Sequence, residues 1–145
     1  GFDHLRCHLD YYYASVWHPE GYKFATGNQD RSCRVWDARN VGHPLFLLKG
    51  NIGATNAIRF SSDGKFMAME ESVDYVHIYD VEREFEFQQE IDFFGNTSGI
   101  SFSPDTQSFF IGISLCPNHD TNFFLLRILV FQVLHFAGSC LYVLI

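Results

Sequence analysis

An all-β fold built from repeated four-stranded units is what three observations in this sequence predict. The first is a turn that recurs. His18-Pro19-Glu20-Gly21 follows a run ending in Trp17, Ser61-Ser62-Asp63-Gly64 follows one ending in Phe60, and Ser103-Pro104-Asp105-Thr106 follows Phe102. The steps from Trp17 to Phe60 and from Phe60 to Phe102 are 43 and 42 residues. The second is that the first two copies continue in register, Phe24-Ala25-Thr26 matching Met67-Ala68-Met69 and Val35-Trp36-Asp37 matching Ile78-Tyr79-Asp80. The third is the texture between the turns: short runs rich in aromatic and β-branched residues, bounded by Gly, Pro, Asn and Asp. Self-similarity at about 40–45 residues is the signature of a propeller of four-stranded blades. A blade cannot bury its own faces, so the repeat predicts stacked blades that present their loops to partners.

The first blade is expected as strands over 13–17, 22–26, 32–36 and 45–48, with a tight turn over 27–30 and Pro44 breaking the last connection. The second repeats this over 56–60, 65–69, 75–79 and 85–91. The third opens over 98–102 and 108–113. The expected organisation is therefore blades over 7–49, 50–92 and a partial 93–113 within 1–113, about two and a half in all, followed by an apolar C-terminal tail over 114–145.

The repeat breaks after Ile113. A third blade needs a turn aspartate and another strand ending in Trp-Asp or similar, and Ser114-Leu115-Cys116-Pro117-Asn118-His119-Asp120 stands there instead. From Phe123 onward Arg127 is the only charge, and 128–145 is 18 residues without Asp, Glu, Lys or Arg. By length that is a membrane-span candidate. Three readings follow: foreign coding sequence from a retained intron or wrong splice junction, a membrane anchor through 123–145, or irregular core strands. Closed propellers have four to eight blades. With 145 residues starting at Gly1, the chain reads as a piece of a longer protein or a truncated gene product.

Composition excludes some functions. A formal charge of −7 and a pI near 5.3 argue against a nucleic-acid footprint, which needs clustered Lys and Arg. The acidic stretch Glu82-Arg83-Glu84-Phe85-Glu86 is expected as a solvated turn and edge strand. The four cysteines, at 7, 33, 116 and 140, show no paired spacing, and the N-terminal residues do not read as a signal peptide. A reducing compartment, cytoplasmic and/or nuclear, is the expectation.

With Trp36-Asp37 closing the third strand, the chain resembles the WD-repeat (WD40) family over about residues 7–113. A WD repeat carries a Gly-His pair, a Ser or Thr in the second strand, an Asp in the next turn and a Trp in the third strand. Here these are His8, Thr26, Asp30 and Trp36, with Cys7 in place of the Gly. The resemblance implies a buried relay: the indole N–H donates to the Thr hydroxyl, which meets the His ring, whose other nitrogen meets the Asp carboxylate. Each polar group is tolerable inside only because the next one satisfies it. The second blade departs from this, with Asn51, Met69 and Tyr79 at the His, Thr and Trp positions and Asp74 one residue off. It is expected to hold by apolar packing. Thr26-Gly27-Asn28-Gln29-Asp30 and Ile100-Ser101-Phe102-Ser103-Pro104-Asp105 also resemble a plant and fungal subgroup of WD-repeat proteins, which implies no chemistry.

Each candidate site in the sequence also has a plain structural role. His8 with Asp30 has the form of a catalytic dyad, but no Gly-x-Ser-x-Gly elbow or phosphate-binding loop accompanies it, so His8, Thr26, Asp30 and Trp36 are read as a structural network. Cys116-x2-His119 and His135-x4-Cys140 approach zinc spacing, but the apolar run between them has no turn residues, and no metal or cofactor is expected. Trp36-Asp37-Ala38-Arg39 resembles the box carried by WD-repeat substrate receptors of cullin-RING ubiquitin ligases, supported by Phe24-Ala25-Thr26-Gly27, Asp30 and Val35. It implies an exposed Arg39 free to pair with an adaptor carboxylate, with Asp37 and Arg39 as candidate partner contacts. Glu82 stands at the Arg position in the second blade, which lacks the box. Glu70, Glu71 and Asp74 are expected to form a solvated turn. The resulting expectation is a non-enzymatic protein–protein interaction scaffold that binds proteins and no nucleic acid. The alternatives are a ligase substrate receptor, which would bind a ubiquitin-ligase adaptor, and a membrane-anchored fragment.

Overall fold

The computed structural model describes residues 12–50, 53–72, 75–86, 88–92, 96–114, 123–129 and 143–144. Twelve strands run in chain order: β1 (Tyr12–Trp17), β2 (Lys23–Asn28), β3 (Ser32–Asp37), β4 (Phe46–Lys49), β5 (Thr55–Phe60), β6 (Phe66–Glu71), β7 (Tyr75–Asp80), β8 (Gln88–Asp92), β9 (Asn96–Phe102), β10 (Ser108–Ser114), β11 (Phe123–Leu129) and β12 (Val143–Leu144). They form three four-stranded antiparallel sheets in the orders β1-β2-β3-β4, β5-β6-β7-β8 and β9-β10-β11-β12. Each sheet is a meander in which neighbours in sequence are neighbours in space, as short antiparallel connections require. The architecture is all-β and made of propeller blades.

Two boundaries differ from expectation. The segment around 85 is a turn, not the start of a strand: Phe85 sits at φ 60°, its amide donates to Asp80 O at 3.0 Å, and its ring is buried against Phe46 and Tyr79. The third sheet also continues past residue 113. β11 pairs with β10 along its whole length, from Ser108↔Leu129 to Ser114↔Phe123, and β12 adds Leu126↔Leu144. An apolar run with no charge but Arg127 has little to oppose pairing with an equally apolar β10, so part of the tail is the outer half of the third blade. No helix among the described residues is long and apolar enough to cross a membrane.

The blades stack through alternate side chains. Period-2 geometry gives every sheet two faces. In the first blade Ala25, Cys33 and Val35 turn toward the second, where Ile58, Met67, Met69, Tyr79 and Phe85 meet them. In the second, Ala68, Val76, Ile78 and Ile91 turn the other way, onto Ile100, Phe109, Ile111 and Ile113 of the third. These are two separate apolar seams, and each blade spends one face on each neighbour.

Polar latches join the blades at the β1–β2, β5–β6 and β9–β10 turns. His18, buried, has its Nε2 2.9 Å from Gly64 O while its Nδ1 accepts the Glu20 N–H at 3.2 Å, so Nε2 carries the donated proton. Gly64 has φ +74° and a Cβ there would lie 2.5 Å from His18 Nε2, which makes glycine obligatory on both counts. Ser62 Oγ donates to Pro104 O at 2.6 Å and lies 3.1 Å from Thr106 Oγ1. The recurring turn is thus also the point where successive blades are tied.

Each innermost strand carries the same irregularity. The register of β1 skips residue 13, that of β5 skips 56 and that of β9 skips 98, reproducing the 43- and 42-residue steps. A bulge of this kind reverses which side chains face the neighbour. In β5 it aims Thr55 at Gly27 of the first blade, where an added Cβ would meet Thr55 Cγ2 at 2.4 Å and Thr55 Cβ at 2.8 Å. Gly27→Ala is therefore expected to destabilise the protein by about 1–3 kcal/mol through overpacking. In the Gly27→Ala/Thr55→Ala double variant the loss should be smaller than the sum of the single losses, a coupling read from urea unfolding of the four proteins. Strict additivity would mean the two residues do not meet.

Candidate functional site

The first blade presents one face that no described blade covers. Cross-strand pairing places Trp17, Phe24 and Trp36 in one row and Ser15, Thr26, Arg34 and Leu47 in the next. The aromatic row stacks across three strands, with ring centroids 5.2 Å apart for Trp17–Phe24 and 6.3 Å for Phe24–Trp36. Trp36 is fully buried and its Nε1–H donates to Thr26 Oγ1 at 2.9 Å. Indole and hydroxyl can meet because Thr26 and Trp36 lie on the same face in adjacent rows.

Asp30 organises the turn after β2. Its Oδ1 accepts the Ser32 N–H at 3.0 Å and the Ser32 hydroxyl at 2.5 Å, and Arg34 Nη2 lies 3.5 Å from Oδ2. Arg31 takes φ 63° in this turn, so the carboxylate holds a backbone that favours no side chain. His8, Cys7 and Asn51 lie outside the described residues, and the pairing of His8 with Asp30 remains a proposal. Asp30→Ala would strip Ser32 of its acceptor and leave Arg34 without its carboxylate. The expected cost is about 1–3 kcal/mol in chemical denaturation, whereas an unchanged midpoint would remove Asp30 from the structural network.

The corner after β3 differs from expectation. Arg39 is exposed, at 70%, but its guanidinium is not free. Nε donates to Asp37 Oδ1 at 2.9 Å and Nη2 to Oδ2 at 2.7 Å, while the Arg39 amide also donates to Oδ1 at 2.9 Å. The guanidinium carbon stands 4.5 Å over the Tyr22 ring. A bidentate pair two residues apart needs only the short Asp37-Ala38-Arg39 turn to form. Hydrogen bonds from the Arg39 side chain hold the Asp37 carboxyl down at about 2, with its backbone amide adding to the effect. Because this folded value is depressed, the associated stability is present above the ordinary aspartate range and is lost as pH falls through about 2. Arg39→Ala should return the Asp37 carboxyl toward its ordinary 3.8 in an NMR titration. A value still near 2 in that variant would show that the side chain is not the cause.

The second blade keeps a polar network of its own, contrary to the expectation of apolar packing alone. Tyr79 takes the Trp position and Met69 the Thr position, and the Tyr79 hydroxyl is buried without a hydrogen-bond partner among the described residues. Burial raises its pKa. One row away, Glu71 and His77 are both fully buried and joined through Oε1 and Nε2. Glu71 Oε2 accepts the Gly53 N–H at 3.1 Å, and Glu90 Oε2 lies 4.0 Å from His77 Nδ1. Glu71 thus fastens the linker between blades to the end of β6. Glu70 is buried as well, on the opposite face, so neither belongs to a solvated turn. Asp74 lies outside the described residues. The signal that separates the two cases is the alternation of β6, Phe66-Met67-Ala68-Met69-Glu70-Glu71, which runs unbroken through both glutamates.

Cys33 is a free thiol buried in the first seam, its pKa pushed up to about 12 by desolvation, which makes it unreactive. No group of three or more His, Cys, Asp or Glu able to hold a metal occurs among the described residues. The side chains of Cys116, His119, His135 and Cys140 lie outside them.

Four-stranded meanders, seams made of alternate side chains and an indole bound to a threonine hydroxyl define blades of a β-propeller. Residues 3–37 match the family described as WD domain, G-beta repeat. That stretch is similar to a WD40 repeat, and the whole chain has the fold of WD40-repeat proteins. The crystal structure of RRP9 WD40 repeats superimposes with a TM-score of 0.77 at 17% identity, covering 96% of this chain and 39% of that one. The structure of U3-55K gives the same TM-score, 0.77, at 17% identity over 96% of this chain and 40% of that one. A chain of the mitotic checkpoint complex gives 0.68 at 17% identity over 82% and 36%. A stretch of 45 residues is 40% identical to Ribosome assembly protein 4 of Chaetomium thermophilum, covering 31% of this chain and 8% of that protein. The chain thus spans about two fifths of the solved chains and a small part of the curated relative.

Proposed function

We propose that this chain is part of a non-enzymatic scaffold that binds other proteins. WD40 blades are in general protein-interaction scaffolds, and the chain shares their fold. The observation that carries the reading is the distribution of exposed apolar surface. Trp17, Leu45 and Leu47 are the large hydrophobics most open to solvent among the described residues, at 59%, 46% and 50%. Cross-strand register places Trp17 and Leu47 on the same outward face of the first blade. Apolar surface concentrated on one face marks a surface that something else covers, a further blade or a partner, whereas scattered exposed residues do not. Partners that take part in ribosome assembly, the setting named for one similar protein, are the ones to try first, and they imply a nuclear or cytoplasmic location.

The ligase-receptor reading is weaker. Arg39 would have to exchange the Asp37 carboxylate, held through three hydrogen bonds, for one on the adaptor.

The scaffold reading predicts that Trp17→Ser/Leu47→Ser loses proteins that co-precipitate with the unaltered chain, while its far-UV spectrum is unchanged. An identical set of bound proteins for both would refute this face as the contact.

A further inference from the structure

The same place in two successive seams holds different chemistry. Gly27 on β2 and Glu70 on β6 are equivalent by register, since each pairs with the first residue after the bulge, Ala14 and Ala57. Gly112 on β10 is the third member, opposite Gly99. The position is glycine in the first and third blades and glutamate in the second. Across each seam it meets a threonine that the bulge has turned toward it. In the first seam Thr55 packs so closely on Gly27 that no Cβ fits. In the second the threonine is Thr97, placed opposite Ile113 by the skipped residue 98, and its hydroxyl donates to Glu70 Oε1.

Glu70 is 5% exposed and sits at the end of a seam that is otherwise apolar, lined by Ala68, Val76, Ile100, Ile111 and Ile113. Thr97 is its hydrogen-bond partner among the described residues. From β5, Arg59 attracts its charge, but the guanidinium donates to its own neighbour, Ile58 O, at 2.8 Å and does not reach the carboxylate. From β7 the residue opposite is Val76, and from β10 the residue beside Thr97 is Ile113. Glu71 and His77 lie on the other face of the sheet, toward the first blade, with Met69 and Tyr79. The position therefore confronts a carboxyl group with one hydroxyl donor, one distant cation and apolar walls.

We propose that Glu70 and Thr97 form a proton-dependent clasp between the second and third blades. The seam grips when the Glu70 carboxyl is neutral and slackens when it ionises, because the charge has to be solvated where the seam excludes water. The first seam has Gly27 in the equivalent place, and its own buried acid, Glu71, is paired with His77.

The direction follows from linkage. Desolvation raises the Glu70 pKa, only partly opposed by the Thr97 bond and the Arg59 charge. A carboxyl raised in the folded state contributes stability that is complete below the unfolded value, 4.5, and is lost as pH rises through the folded one.

Hydrogen exchange on the full chain tests this, following the amides of β9 between pH 4.5 and pH 8 in the unaltered protein and in Glu70→Gln after correction for intrinsic exchange. The expected result is a loss of β9 protection in the unaltered protein as pH rises. Glu70→Gln keeps the acceptor for Thr97 and cannot ionise, so its β9 protection should be flat across the range. Thr97→Val should retain the pH response from a lower starting protection. A Glu70→Gln protein that loses β9 protection as the unaltered one does would overturn the proposal. So would a Glu70 carboxyl that titrates by NMR at or below the ordinary glutamate value.

Discussion

Everything in this structure depends on the inability of a four-stranded sheet to bury its own faces. One face of each blade has to be covered by the next, and that requirement sets the composition of alternate positions on every strand. Ala25, Cys33 and Val35 are apolar because Ile58, Met67 and Met69 cover them. Ala68, Val76 and Ile78 are apolar because Phe109 and Ile111 do the same. At roughly 25 cal/mol per Å2 of apolar surface removed from water, such seams dominate the stability of a fold whose hydrogen bonds are nearly all confined within single sheets. The latches through His18, Gly64, Ser62 and Pro104 add direction to that packing, tying turn to turn so that blades cannot slide along the seam.

Within this frame the blades are free to differ in how they satisfy polar groups. In the first, an indole, a threonine hydroxyl and an aspartate-centred turn divide the task. In the second, bulky and acidic residues occupy the equivalent strands, and a buried glutamate–histidine pair reaches back to the linker amide of Gly53. Both solutions obey one rule, that a buried polar atom needs a partner. The Tyr79 hydroxyl, left without one among the described residues, marks where the second blade has kept the shape of the indole but not its bond. The repeat therefore keeps the strand order and the seams of a blade while its polar chemistry varies.

The same economy governs the candidate interaction surface. The outward face of the first blade carries both the Thr26–Trp36 hydrogen bond and the exposed apolar side chains of Trp17 and Leu47. A rigid aromatic row beneath an exposed tryptophan is a low-entropy platform for a partner, since little side-chain freedom remains to be lost on binding. Arg39, by contrast, is exposed but committed. Its charge is balanced locally by Asp37 and its plane is seated on Tyr22. Exposure and availability are separate properties of a charged side chain, and only the three-dimensional arrangement tells them apart.

The sequence by itself determined the repeat, its 43- and 42-residue steps, the strand-turn-strand order of the first two blades and the residues Thr26, Asp30 and Trp36 that characterise the first. These were legible because they rest on local rules: period-2 alternation, turn residues and the spacing of a motif. Only the tertiary structure decided that Glu70 and Glu71 are both buried, that Arg39 turns back onto Asp37, and that 123–129 extends the third blade. The reason is physical. Burial of a charged residue is settled by what the neighbouring blade places against it, and strand pairing of an apolar run is settled by the edge it finds. Both are contacts between segments distant in sequence, such as Thr97 with Glu70 or Phe123 with Ser114. Alternation along a strand says that two glutamates face opposite ways, but it takes the stacked blades to show that neither faces water.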